Sequence, residues 1–166
     1  MIDISAARLS KAYLVLLIGL FGVLVAANNI FDYGSNFNFV QHVMLMDTTF
    51  PDNDLMWRAI PSPVFHHAVY WLIIAGEMLT GLLCIWGSVR LMKNSRQPRH
   101  LFVDAKRTAI LGLTLGILVW FFGFMVVAAE WFLMWQSQQW NGVDAAFRFV
   151  MCISVVLIYL TQQDPD

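Results

Sequence analysis

Apolar positions along the chain fall into four long runs rather than short alternating stretches. The run from Lys11 to Asn28 is continuously apolar between its ends, and Phe65 to Val89 carries one acid, Glu77. Thr108 to Trp135 also carries one acid, Glu130, while Val143 to Thr161 holds Asp144 near its start and Arg148 inside. A bilayer core of about 30 Å needs about 20 such residues at 1.5 Å rise each. Each run therefore predicts a transmembrane helix, over 11–28, 65–89, 108–135 and 143–161. The expected fold class is an all-α membrane protein, a four-transmembrane-helix bundle forming one domain over 1–166. Its outer loop is 30–64 and its basic loop 90–107.

The outer loop is too long for a passive hairpin. Phe37, Val40, and Val43 or Met44 recur at helical spacing, with Gln41 and Asp47 between and after, which predicts a short amphipathic helix on the outer surface. A second short turn is expected from Leu55 to Ile60, with Asp54 as N-cap and Pro61 as stop. A cap over the helix ends is the preferred reading of this loop, ahead of a binding lid.

Within each run the small and polar residues trace a stripe, and in lipid such stripes mark the packed face. Ala109, Gly116, Gly123 and Glu130 recur every seven residues on the third helix, and Gly112 joins Gly116 in a GxxxG step. On the second, His66, Tyr70, Ile73, Glu77, Thr80, Cys84 and Gly87 follow alternating steps of four and three. The first helix contributes Gly19, Gly22, Ala26, Asn29 and Tyr33; the fourth contributes Asp144, Arg148, Cys152, Val155 and Tyr159. Counting inward from the outer ends puts Tyr70, Glu130 and Arg148 at roughly 7 to 8 Å depth and Glu77 at roughly 18 Å. Cys84 and Cys152 are separated by roughly 15 Å in depth, beyond disulfide reach.

Composition supports the membrane reading. Of 166 residues, 59% are hydrophobic and only 13% charged, against about 25% charged in a soluble domain. No basic face suits nucleic acid. The charge map sets the orientation: Arg90, Lys93, Arg96, Arg99, Lys106 and Arg107 in one connection face a lone Asp104, whereas the outer loop holds Arg58 against Asp32, Asp47, Asp52 and Asp54. The basic loop is thus expected in the cytoplasm, with both termini beside it. Arg8 and Lys11 flank the first helix accordingly, and Trp131, Trp135 and Trp140 form an aromatic belt at the opposite boundary. Val25-Ala26-Ala27 raises a cleavable signal peptide as the competing reading of the first run. The helical recurrence of Gly19, Gly22 and Ala26 favours a packed helix instead.

The buried polar cluster expected from these stripes comprises Glu77, Glu130, Arg148, Tyr70, His66 and Asn29. Glu130 and Arg148, on different helices at equal depth, are expected to pair, because an isolated charge in hydrocarbon costs at least about 2.5 to 3.5 kcal/mol. Glu77 has no partner at its own depth. It is expected to be neutral unless Arg148 reaches inward or a water cavity opens to it, and a bond to a backbone carbonyl stands level with a role in moving protons or holding a ligand. No catalytic motif is present. His100 falls in the basic loop, whereas His42, His66 and His67 share the outer side, where a haem or metal is the alternative to the preferred expectation of no cofactor.

Asn28-Asn29-Ile30-Phe31-Asp32-Tyr33, followed by Asn36, Phe39-Val40, His42-Val43, Met46-Asp47-Thr48, Trp57-Arg58-Ala59-Ile60, His67, Tyr70 and Glu77, resembles a family of small bacterial integral membrane proteins of unknown function. The resemblance covers most of the chain. It implies a bacterial inner-membrane location and assigns no activity. Three functions compete on the residues alone. The preferred one is a non-enzymatic accessory or stabilising subunit of a larger membrane complex, whose partners are the lipid bilayer and other membrane subunits or a second copy. The alternatives are a small proton-coupled transporter using Glu77, Glu130 and Arg148, and a redox subunit holding haem or quinone.

Overall fold

The computed structural model describes residues 4–164, most of which are helical. The helices are α1 (Ile4–Phe31), α2 (Tyr33–Leu45), α3 (Pro63–Asn94), α4 (Arg99–Ile117) and α5 (Val143–Thr161). The backbone of α4 runs on without a break into Leu118–Trp131, which winds in the wider π form. Four helices are long and apolar enough to cross a membrane: Ala6–Phe31, Pro63–Asn94, Arg99–Trp131 and Val143–Thr161.

The first three spans are longer than their apolar runs, and the fourth, Val143–Thr161, coincides with its run. Charged residues that read as loop are helical, so α3 continues to Asn94, α4 opens at Arg99, and only residues 95–98 connect them. Arg8 stitches this turn by donating to the Ser95 carbonyl at 3.4 Å and the Gln97 carbonyl at 2.8 Å. The third span also closes earlier than 135. Leu133 adopts a left-handed backbone (φ 55°), which ends the helix, and Trp135 lies in the short turn Met134–Gln136.

Close approach at small residues holds the spans together, as expected where no hydrophobic driving force acts between helices in lipid. A Cβ on Gly81 of α3 would stand 2.6 Å from the Val23 backbone nitrogen of α1, and one on Gly87 would stand 2.6 Å from the Ala109 nitrogen of α4. Phe21, Trp120 and Phe149 fill the centre, with ring centroids 4.7 to 5.7 Å apart.

The π segment breaks the seven-residue seam. A π turn closes i→i+5 instead of i→i+4, so seven residues no longer bring the chain back to the same face. Gly116 still packs, since a Cβ there would meet Ile153 and Thr80 at 3.1 Å. A Cβ on Gly123 would touch only the Leu118 carbonyl of its own helix, at 3.9 Å. Glu130, one repeat further on, is exposed.

The outer loop is built largely as its pattern predicts. Helix α2 follows α1 after the single residue Asp32 and buries Val40, Val43 and Met44. The second turn is Met56–Arg58, but Asp54 does not cap it; Asn53 Oδ1 accepts from the Leu55 amide at 2.9 Å instead. Ile60 fastens the loop down, its amide donating to the Met44 carbonyl at 2.8 Å. Arg58 donates to the Trp131 carbonyl at 3.3 Å with its guanidinium over the Trp131 ring, tying the loop to the end of the third span.

Candidate functional site

The inward stripe of α3 buries His66, Tyr70, Ile74, Glu77, Thr80 and Cys84. Glu77 is 2% exposed. Its partner is a side-chain amide, not a backbone carbonyl: Asn29 of α1 donates from Nδ2 to Glu77 Oε2 at 2.7 Å. Asn29 in turn accepts on Oδ1 from Asn36 Nδ2 of α2 at 2.6 Å. The Tyr70 hydroxyl donates to the Asn29 backbone carbonyl at 3.2 Å. That carbonyl belongs to the last turn of α1, where helix geometry leaves it without an intrahelical donor. Three elements thus meet on one asparagine, which holds the acid through its side chain and the tyrosine through its backbone.

A cleft of about 190 Å³ opens beside this network, with Asn29, Asn36, Tyr70 and Glu77 in its wall and Trp120, Phe124 and Phe149 opposite. Asn36 is exposed, so the network reaches from the exposed face of α2 to the acid. A second, larger space of about 620 Å³ runs between α3 and the π segment and is lined by apolar side chains and glycines, Gly76 and Gly123 among them. The two spaces share Phe39, Val40, Ile73 and Phe124 as walls.

Not all of the expected cluster comes together. Asn29, Tyr70 and Glu77 meet, whereas Glu130 and Arg148 do not pair: both are exposed, and neither forms an ion pair among the described residues. Equal depth did not bring them to one side, because the π turns rotate Glu130 off the seam and α5 buries its opposite face through Ala146, Ile153 and Val156. His66 is fully buried but serves the loop, with Nε2 2.7 Å from the Ile60 carbonyl. A carbonyl only accepts, so Nε2 is the protonated nitrogen.

The outer-side histidines have separate surroundings. His42 Nδ1 lies 2.7 Å from Asp47 Oδ2 and its ring stacks on Trp140, while His67 Nδ1 lies 2.8 Å from the Tyr33 hydroxyl and its ring stacks on Phe37 at 4.0 Å. No group of three or more His, Cys, Asp or Glu side chains is placed to hold a metal among the described residues.

A second buried charge cluster sits at the opposite, basic end. Lys11 of α1 pairs with Asp164 at 2.8 Å, and Lys106 of α4 pairs with the same carboxylate. Both lysines also donate to the Gln162 carbonyl, at 3.0 and 3.1 Å. Burial alone would push the Asp164 carboxyl up, but hydrogen bonds and charge from Lys106 and Lys11 outweigh it and hold the group below its ordinary value.

Asn36 and Asp164 are the residues the stripes did not reveal. Asn36 lies on α2, whose orientation depends on the turn at Asp32, and Asp164 lies beyond the last apolar run. Residues 7–163 match the family described as "Predicted small integral membrane protein (DUF2165)". No curated protein and no solved structure matches the chain. The match spans nearly the whole sequence, so the chain belongs to this family of small integral membrane proteins, whose function is unknown.

Proposed function

We propose that this protein is a non-enzymatic accessory or stabilising subunit that assembles laterally with other membrane helices in the bacterial inner membrane, with its basic end and both termini in the cytoplasm. The observation that carries the reading is the outward placement of Glu130 and Arg148 without an ion pair among the described residues. Unpaired charge against hydrocarbon costs at least about 2.5 to 3.5 kcal/mol near the bilayer centre and less toward its edge. A neighbouring helix offering the complementary charge removes that cost, and interhelical polar contacts contribute about 0.6 kcal/mol each on average. The basic turn between α3 and α4 supports the orientation.

The two alternatives gain no comparable support. A proton-coupled carrier using Glu77, Glu130 and Arg148 needs these groups connected, and only Glu77 faces the interior. The histidines of the haem reading are held by three separate partners.

Purification of the tagged full chain from native membranes in mild detergent, followed by mass spectrometry, tests the proposal. A defined set of membrane proteins is expected to co-purify with the wild type and to be depleted with the Glu130→Gln/Arg148→Gln double variant. A chain that emerges alone and monomeric, or a partner set indifferent to the double variant, overturns it.

A further inference from the structure

Glu77 is a carboxyl group deep in a span with one protein donor. Oε2 is bonded to Asn29, Oε1 accepts no hydrogen bond from the described residues, and no lysine, arginine or histidine lines the cleft beside it. Among the groups lining the cleft Glu77 is the one carboxyl, and its Oε1 is left for whatever enters. With Glu77 ionised, an anionic head would meet a like charge there, whereas a protonated amine would supply both a donor for Oε1 and the counter-charge that favours the ionised form over the neutral one.

The adjoining apolar space fixes the rest of the molecule. At about 620 Å³ it falls within the roughly 300 to 1,000 Å³ of ordinary ligand sites, where a mostly apolar wall carries a few polar groups that set orientation. It includes Gly76, the residue before Glu77, and shares the walls Phe39, Val40, Ile73 and Phe124 with the cleft. The π winding of Leu118–Trp131 contributes one side of it.

We propose that the cleft and groove together form a binding site for a lipophilic amine, with its ammonium head at Glu77 Oε1 and its hydrocarbon body between α3 and the π segment beneath α2. Asn29 positions the carboxylate by holding Oε2, and Asn36, at the exposed end of the network, marks the mouth.

Native mass spectrometry of the full chain in mild detergent tests this with three probes of equal chain length: dodecylamine, dodecanol and dodecanoate. The wild type is expected to retain one dodecylamine per chain, at least about tenfold more tightly than either of the others, the factor a hydrogen bond to a charged group is worth. Glu77→Gln is expected to abolish the preference for the amine. Gly123→Leu, placed where a Cβ meets nothing closer than 3.9 Å, is expected to fold normally and to weaken the binding of dodecylamine by filling the groove. Equal retention of the three probes by the wild type overturns the proposal, as does undiminished dodecylamine binding by either variant. The ranking of probes on the wild type decides the question even if Glu77→Gln does not fold.

Discussion

Asn29 joins three elements through one side chain and one carbonyl, so its loss should be felt at both. Asn29→Ala leaves the Glu77 carboxyl without its donor, and stripping one partner from a buried polar pair costs about 1 to 3 kcal/mol. Thermal unfolding in detergent is expected to show a loss of that size. In a double-mutant cycle with Glu77→Gln, a coupling of at least about 0.5 kcal/mol is expected, and strict additivity would show that the contact contributes nothing. Asp164 makes a sharper case at the other end. Asp164→Asn leaves the buried Lys11 and Lys106 ammonium groups facing one another, and breaking a buried pair in this way costs about 3 to 5 kcal/mol. Because the folded carboxyl lies below its ordinary value of 3.8, its contribution is fully present above that pH and is lost as pH falls through the lower folded value. The stability difference between wild type and Asp164→Asn should stay constant from neutrality to about pH 4 and shrink below it. Of these residues, Asn29, Tyr70 and Glu77 were legible as polar positions on helical stripes. Asn36 and Asp164 were not, since a pattern within one helix says nothing about a side chain that arrives from a loop helix or from beyond the last span.

At the scale of the element, spacing located every span and the small surface helix, but it assumed one winding throughout. Hydrophobicity carries no mark that separates i→i+4 from i→i+5 closure, so the seven-residue pattern runs on from Gly116 to Gly123 and Glu130, where the π turns carry the chain to another face. The glycines test this directly. Gly81→Ala and Gly87→Ala drive a methyl group against the backbone of a neighbouring helix, and overpacking of this kind costs about 1 to 3 kcal/mol. Gly123→Ala meets open space and is expected to be neutral or to stabilise by about 0.5 to 1 kcal/mol, the usual gain from replacing a helical glycine. Comparable destabilisation at all three positions, measured by thermal unfolding, would restore the continuous seam and refute the π register. The helix ends were also misplaced, because arginines and lysines that count as loop in a hydropathy reading extend α3 and α4 on the basic side.

Across the whole molecule, the charge map gives the bundle a basic end, where Arg8, Lys11, Lys106 and Asp164 are buried, and an opposite end roofed by α2. The interior is committed to packing and to the Glu77 network, while Glu130 and Arg148 are turned outward. No single-chain pattern could separate an inward from an outward charge at the same depth, since that depends on how neighbouring helices are rotated. The same placement leaves lateral assembly as the way these charges are neutralised. Photo-crosslinking residues introduced singly at positions 77, 130 and 148 of the full chain in native membranes test it most directly. Discrete protein adducts are expected from positions 130 and 148 and none from position 77. Adducts only to lipid from 130 and 148, with the chain remaining a monomer, would contradict the account.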